Sequence, residues 1–227
     1  MMVNQGELFD RLASEHGLYA YAPEAVEAVN ALVPVKGLVL DLGCGDGAMG
    51  EGFDANRVVG FDISMRCARL ARRRGVEAFV ADAAAGVPLR DGVFDTVYCV
   101  DVLHHLRGSW ERVFSELGRV LKAGGTLAIV EPDARNPFVR WTQAPKSPLR
   151  VAPCDDEPAL YPEEVVFDLR RRGYAVQWRP IHIEGNQLER RVFPLWQRLL
   201  KAPFVAGLAF RYRRMPNKFA VIARKAG

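Results

Sequence analysis

Hydrophobic positions follow two periods that take turns along the chain. Short apolar runs bounded by glycine or by an acid occur at Leu38–Leu42, Arg57–Asp62, Glu77–Ala81, Phe94–Val100, Thr126–Glu131, Tyr174–Ile183 and Lys218–Ala223. Between them, apolar residues recur at three- and four-residue intervals, as in Met65–Arg74, Trp110–Leu121 and Tyr161–Arg172. Strand-length apolar runs separated by amphipathic helices predict an α/β chain with buried parallel strands and helical crossovers. A short helix is expected over Ala48–Asn56. Two more are expected within Gly6–Leu32, the second opened by Pro23. Pro132–Pro162 is rich in proline and has no sustained period, so an ordered but irregular loop is expected there.

The first strand ends in Asp41-Leu42-Gly43-Cys44-Gly45-Asp46-Gly47. Glycine at every second position permits the positive φ angles of a tight strand-to-helix turn and lets a ligand approach the backbone. Gly43, Gly45 and Ala48 also satisfy the degenerate dinucleotide pattern, so the glycines leave two ligand classes open. Asp41 separates them, because an anion at the strand end repels a pyrophosphate and attracts a ligand bearing an ammonium and a sulfonium. Asp62 closes the second strand and Asp82 follows the third. In a parallel sheet all three acids gather along one edge, where open α/β sheets bind ligands, and Asp62 is placed to accept two ribose hydroxyls. Dehydrogenases use that last device too.

The run Asp41–Gly47 resembles the first motif of class I S-adenosylmethionine-dependent methyltransferases, of the methyltransferase type 11 kind. Asp91–Val100 is similar to the family's fourth strand and the turn before it, Asp101–Leu106 to its substrate-facing loop, and Leu117–Leu127 to the segment before its fifth strand. The similarity covers roughly residues 37–131. It implies a Rossmann-like, doubly wound seven-stranded sheet, mostly parallel with the last strand antiparallel, plus a helical N-terminal segment. It also implies S-adenosylmethionine as cofactor and S-adenosylhomocysteine as product. On the resemblance, Gly43, Cys44, Gly45 and Gly47 seat the methionyl part with Asp41 nearby. Asp62 and Ile63 hold the ribose, Asp82 and Ala83 the adenine, with Cys99 and Val100 beside the cofactor. His104 and His105 face the methyl group, one as a candidate general base. The N-terminal helices are expected to lie over the site, which makes His16, Tyr19 and Tyr21 lid candidates; packing on the sheet edge is the alternative. Glu131, Asn136, Arg140 and Trp141 are candidate substrate contacts, with a plain surface connection as the alternative. The sixth and seventh strands are usually joined closely. Here more than thirty residues separate them, a departure from the family pattern.

Composition narrows the class. The 227 residues are 49% apolar and 26% charged, as in ordinary globular proteins, and a single domain over 1–227 is expected. Its expected parts are a helical lid (1–34), a cofactor half (35–131), a substrate-side segment (132–183), a basic insertion (184–217) and the last strand (218–227). The N-terminus, with Glu7 and Asp10 and no apolar run, is not expected to be a signal peptide. Cysteines 44, 67, 99 and 154 show no ligand spacing, so no metal is expected and cytoplasmic thiols are.

Charge is uneven. Residues 1–183 carry 21 basic and 25 acidic side chains, net −4, whereas 184–227 carry 10 and 2, net +8. The insertion places aromatic and aliphatic residues beside arginine and lysine, interrupted by Pro194 and Pro203. Two short amphipathic helices at an interface fit this better than a membrane span. The hairpin could meet anionic lipid, RNA phosphates or the protein's own core.

The expected activity is methyl transfer to a small-molecule or lipid-like acceptor by in-line displacement, with peripheral membrane contact left open. A tRNA methyltransferase using the basic insertion is the second expectation. From other classes, a nucleotide-linked oxidoreductase or a non-catalytic, methyltransferase-like binding protein stay open.

Overall fold

The computed structural model describes residues 5–15, 21–33, 35–53, 57–144, 147, 158–184 and 215–227. Seven strands, β1 (Leu38–Leu42), β2 (Arg57–Asp62), β3 (Glu77–Val80), β4 (Phe94–Val100), β5 (Leu121–Pro132), β6 (Ala175–Ile181) and β7 (Lys218–Arg224), form one sheet. Its order is β3-β2-β1-β4-β5-β7-β6. β1 pairs in parallel with β2 and β4, β2 with β3 and β4 with β5. β7 is inserted antiparallel between β5 and β6, as the resemblance implied. Strand order reverses between β1 and β4, and the crevice beyond their carboxyl ends is where such sheets take ligands.

The central strands are covered on both faces, which is why they lack polar alternation. One face packs Leu40, Leu42, Phe61 and Val97 against Phe114 and Leu117 of α5 (Trp110–Val120) and Leu169 of α7 (Pro162–Arg171). The other packs Val39, Tyr98, Val130 and Ala220 against Ala25 and Val29 of α2 (Pro23–Asn30). Two further helices flank the ligand edge, α1 (Gln5–Glu15) and α4 (Met65–Arg73), and α3 (Ala48–Glu51) follows the glycine turn.

Two sequence expectations are corrected. β5 begins at Leu121 rather than Thr126, and its register against β4 breaks between the Phe94 and Thr96 pairings; that irregularity accommodates Lys122–Gly125. The proline-rich stretch is also not wholly irregular, since Pro137–Gln143 forms α6. Asn136 caps it by accepting from the Phe138 and Val139 amides at 2.9 and 3.4 Å, and Pro137 sits in its first turn. The expected helical insertion before β7 lies almost entirely outside the described residues. Its two stems are joined by His182 Nδ1, 2.8 Å from the Met215 carbonyl, and by paired bonds of 3.0 Å between the Asn217 amide side chain and the Ile183 backbone.

Candidate active site

The glycine turn after β1 is left-handed at three positions, with φ of 68° at Gly43, 52° at Gly45 and 83° at Gly47. A Cβ on Gly43 would stand 2.5 Å from Val102 Cγ2, in the loop that follows β4. A Cβ on Gly47 would stand 2.7 Å from the Ala71 Cα, so Gly47 serves the contact of this turn with α4 and does not line the cavity. Of the three glycines of the turn, Gly43 and Gly45 line the cavity.

A cavity opens over this turn and runs along the strand ends to β7. At one end stand the three acids. Asp62 accepts hydrogen bonds from the Gly45 amide at 3.0 Å and the Ser64 amide at 2.8 Å, which fix its carboxylate across the turn. Burial raises its pKa, and those amides oppose the rise. Asp41 is 2% exposed, and its Oδ2 has no hydrogen-bond partner among the described residues. Burial, followed by the charges of Asp62 and Asp46, pushes it up to about 7. Asp82 lies exposed at the rim with its Oδ1 on the Ala84 amide at 2.8 Å, and Ala83 is buried beside it. Ile63 and Val100 supply apolar wall. Cys44 also lines the cavity, but burial raises its thiol pKa, so it stays a protonated wall residue.

The other end is built by the loop after β4. Asp101 is the only non-glycine among the described residues with positive φ, at 52°. Such backbone strain persists where surrounding structure over-determines it. Here the Lys218 ammonium takes one carboxylate oxygen and the Tyr21 hydroxyl the other. Burial would raise the Asp101 pKa, but the charges of Lys218 and His104 hold it below the usual value. Burial and the Asp101 charge drive Tyr21 well up, so it stays a phenol. Next to this cluster, fully buried Glu131 accepts from the Val102 and Leu103 amides at 2.9 and 2.6 Å and from His104 Nδ1 at 2.6 Å. One carboxylate thereby fixes the loop and the histidine together. The His105 ring lies tilted by 39° against His104 with centroids 4.0 Å apart, and it meets Phe9 of α1 edge-on at 5.2 Å.

Asp41, Gly43, Cys44, Gly45, Asp62, Ile63, Asp82, Ala83, Val100, His104 and His105 therefore share one cavity, as expected from the sequence. Others do not meet it. Cys99 is 0% exposed and belongs to the core beneath the sheet, because alternation on β4 turns it away from the face that bears Val100. Glu131 is a buried anchor rather than a substrate contact. Trp141 is 44% exposed, 5.8 Å from Phe138, while its neighbours Val139, Thr142 and Gln143 line the cavity. Asn136 is spent on capping, and Arg140 lies 3.3 Å from the Tyr161 hydroxyl. His16 and Tyr19 lie outside the described residues. The sequence reading missed Asp101 and Lys218. Asp101 was detectable as a fourth acid at a strand end; Lys218 had no local signal, being 117 residues away.

Among the described residues no group of side chains could hold a metal ion, and no helix is long and apolar enough to cross a membrane.

A cavity at the switch point of a doubly wound sheet, with acids on successive strand ends and an unsatisfied buried carboxylate, suits a positively charged ligand. The family described as a methyltransferase domain matches residues 40–129, and the fold is that of the class I S-adenosylmethionine-dependent methyltransferases. Its cofactor is S-adenosylmethionine.

The mouse tRNA (carboxymethyluridine(34)-5-O)-methyltransferase ALKBH8 is 34% identical over 128 residues, which is 54% of this chain and 19% of that protein. The chain thus spans about a fifth of that relative's length. A SAM-dependent methyltransferase of Thermotoga maritima superposes with a TM-score of 0.66 at 20% identity, over 98% of this chain and 99% of that one. The Haemonchus contortus phosphoethanolamine N-methyltransferase 2, solved with S-adenosyl-L-methionine, gives 0.66 at 18% identity over 100% of this chain and 61% of that one. At such identities the likeness to both structures is one of fold.

Proposed function

We propose that this chain transfers a methyl group from S-adenosylmethionine to a small-molecule acceptor held between His104 and Lys218. The observation that carries the proposal is the single cavity joining the Asp41–Asp62–Asp82 end to the His104–Glu131 end. When bound, the cofactor supplies a methyl already activated on a sulfonium, so the chain needs no covalent intermediate. Asp62 binds the ribose, Asp82 and Ala83 border the adenine, and the backbone of Gly43 and Gly45 seats the methionyl part. Phe9 and Tyr21 help to exclude water. His104, oriented by Glu131 through Nδ1, takes up a proton at Nε2 when the acceptor must lose one.

Calorimetry tests the cofactor roles. S-adenosylmethionine is expected to bind and NAD not to, whereas the reverse would restore the oxidoreductase. Asp62→Ala is expected to weaken cofactor binding about ten- to a hundredfold, equivalent to about 1.5–3 kcal/mol for a charge-assisted hydrogen-bond pair. Unchanged affinity would remove Asp62 from the ribose site.

A tRNA acceptor is the second reading. The printed activity of the mouse relative and the net charge of +8 over residues 184–227 favour it. RNA binding would then fall steeply with salt.

A further inference from the structure

Helix α4 and its C-cap Arg74 carry five arginines and no acid. Two are spent within the fold: Arg72 donates from Nε to the Ala78 carbonyl, and Arg74 pairs with Glu51 at 2.5 Å and Asp46 at 3.3 Å. Arg66, Arg69 and Arg73 are exposed, and none of them forms an ion pair with a described residue; Arg69 meets the Met65 sulfur at 3.2 Å. Other helices of the fold balance their cations, Arg119 of α5 with Glu116 at 2.8 Å and Arg171 of α7 with Asp168 at 2.5 Å. Local physics disfavours what α4 keeps. At i, i+3 and i+7 the three arginines share one face, so like charges three and four residues apart repel. Arg66 also stands in the first turn, where the helix dipole opposes a cation and no acid offsets it. A row that costs the helix stability and has no compensation inside the fold points to an anion outside it.

We propose, resting on the second reading above in which RNA carries the acceptor, that the outward face of α4 holds the phosphate backbone of an RNA strand. From Arg66 to Arg73 the row rises about 10 Å, at about 1.5 Å per residue. Successive phosphates of one strand advance about 3.4 Å along a duplex, so the row matches about three of them. It also begins at the cavity: Ile63, two residues before α4, lines it, and a strand held on the row runs past the opening. Other anionic partners fit less well. The apolar face of α4, Cys67, Ala68 and Ala71, is buried, which leaves mainly Met65 to enter a lipid surface. The helix has no aromatic residue of the kind that anchors a protein partner.

The probe is a fluorescein-labelled single-stranded RNA of about twenty nucleotides, followed by anisotropy as the whole chain is titrated in at salt concentrations from about 50 to about 200 mM. Each arginine on a phosphate contributes about 0.7 to the logarithmic salt slope for a single strand. A variant combining Arg66→Gln, Arg69→Gln and Arg73→Gln is therefore expected to have a slope shallower by about two, and to bind about tenfold or more weakly at the lowest salt. A control of equal charge comes from the opposite side of the sheet. Arg170→Gln, Arg179→Gln and Arg224→Gln, all exposed on α7, β6 and β7, are together expected to leave the slope nearly unchanged. Thermal melting reports that both variants are folded.

If the wild-type chain binds the RNA and the α4 variant keeps its slope, or if the control flattens the slope as far, the assignment falls while the RNA reading stands on the basic stretch 184–227. If the wild-type chain does not bind the RNA at all, that reading falls and the assignment with it. The assignment falls too if phosphatidylserine vesicles or polyglutamate, at equal charge, displace the labelled RNA as well as unlabelled RNA does. Should the triple variant not fold, Arg69→Gln alone is expected to flatten the slope by about 0.7, and an unchanged slope overturns the assignment.

Discussion

Under the proposed function, Asp41 is worth more to the bound state than to the free one. An ordinary aspartate titrates near 3.9, whereas burial and the neighbouring acids hold Asp41 up to about 7. A carboxyl whose folded pKa is raised adds stability below its unfolded pKa, and that contribution is lost as pH climbs from about 4 through about 7. Asp41→Asn is therefore expected to raise the melting temperature of the cofactor-free protein at pH 8 and to flatten its decline between pH 5 and 8. The same change should weaken S-adenosylhomocysteine binding at pH 8, since the cofactor's ammonium favours the ionised carboxylate. Wild-type affinity should accordingly rise with pH through about 7. Thermal melts and titrations across that range check both signs, and a wild-type melt with no slope that Asp41→Asn removes would refute the assignment. Residue identity was legible here: Asp41, Asp62 and Asp82 stand out in the sequence because an acid after an apolar run has no core reason to be there. Glu131 was not, because a carboxylate at a strand end reads the same whether it faces a ligand or is buried on two loop amides.

Helix α1 is held at the scale of elements. Asp10 reaches the start of α4, accepting from the Arg66 amide at 2.9 Å and from the Ser64 hydroxyl. Ser64 itself caps α4 by accepting from the Cys67 amide at 3.1 Å. Asp10 thus supplies a second cap from another helix, and a carboxylate at a helix N-terminus is also favoured by the dipole. Because α1 brings Gln5 and Phe9 onto the cavity, the cap doubles as the fastening of a cover. Asp10→Ala is expected to cost about 1 kcal/mol of stability. It should also speed the dissociation of S-adenosylhomocysteine in stopped-flow displacement, while an unchanged rate would mean that α1 does not retain the ligand. The α4 cap was readable from Ser64 ahead of an amphipathic run. Its partner Asp10, 54 residues earlier, was not, since capping from a distant helix leaves no spacing in the chain.

Across the whole molecule, the acceptor end gathers Tyr21, Asp101, Glu131 and Lys218 from four separate stretches of chain. The Lys218–Asp101 and Tyr21–Asp101 contacts span 117 and 80 positions, so the N-terminal segment, β4 and β7 meet at one carboxylate. S-adenosylhomocysteine binding is therefore expected to slow amide exchange together in α1, in the turn after β1 and in the loop 101–105. Protection confined to the turn after β1 would show that the cover and the cofactor seat are independent. The sequence by itself determined the α/β alternation, the antiparallel last strand through its family resemblance, and the three acids that gather at one end of the cavity. Each of those depends on local period or on a residue fixed relative to its own strand. Only the tertiary structure decided the other end of the cavity: that Cys99 packs in the core, that Glu131 orients His104, and that Lys218 neutralises Asp101. Those assignments depend on which strand lies beside which, and inserting β7 between β5 and β6 sets a residue from near the chain's end against a loop from its middle.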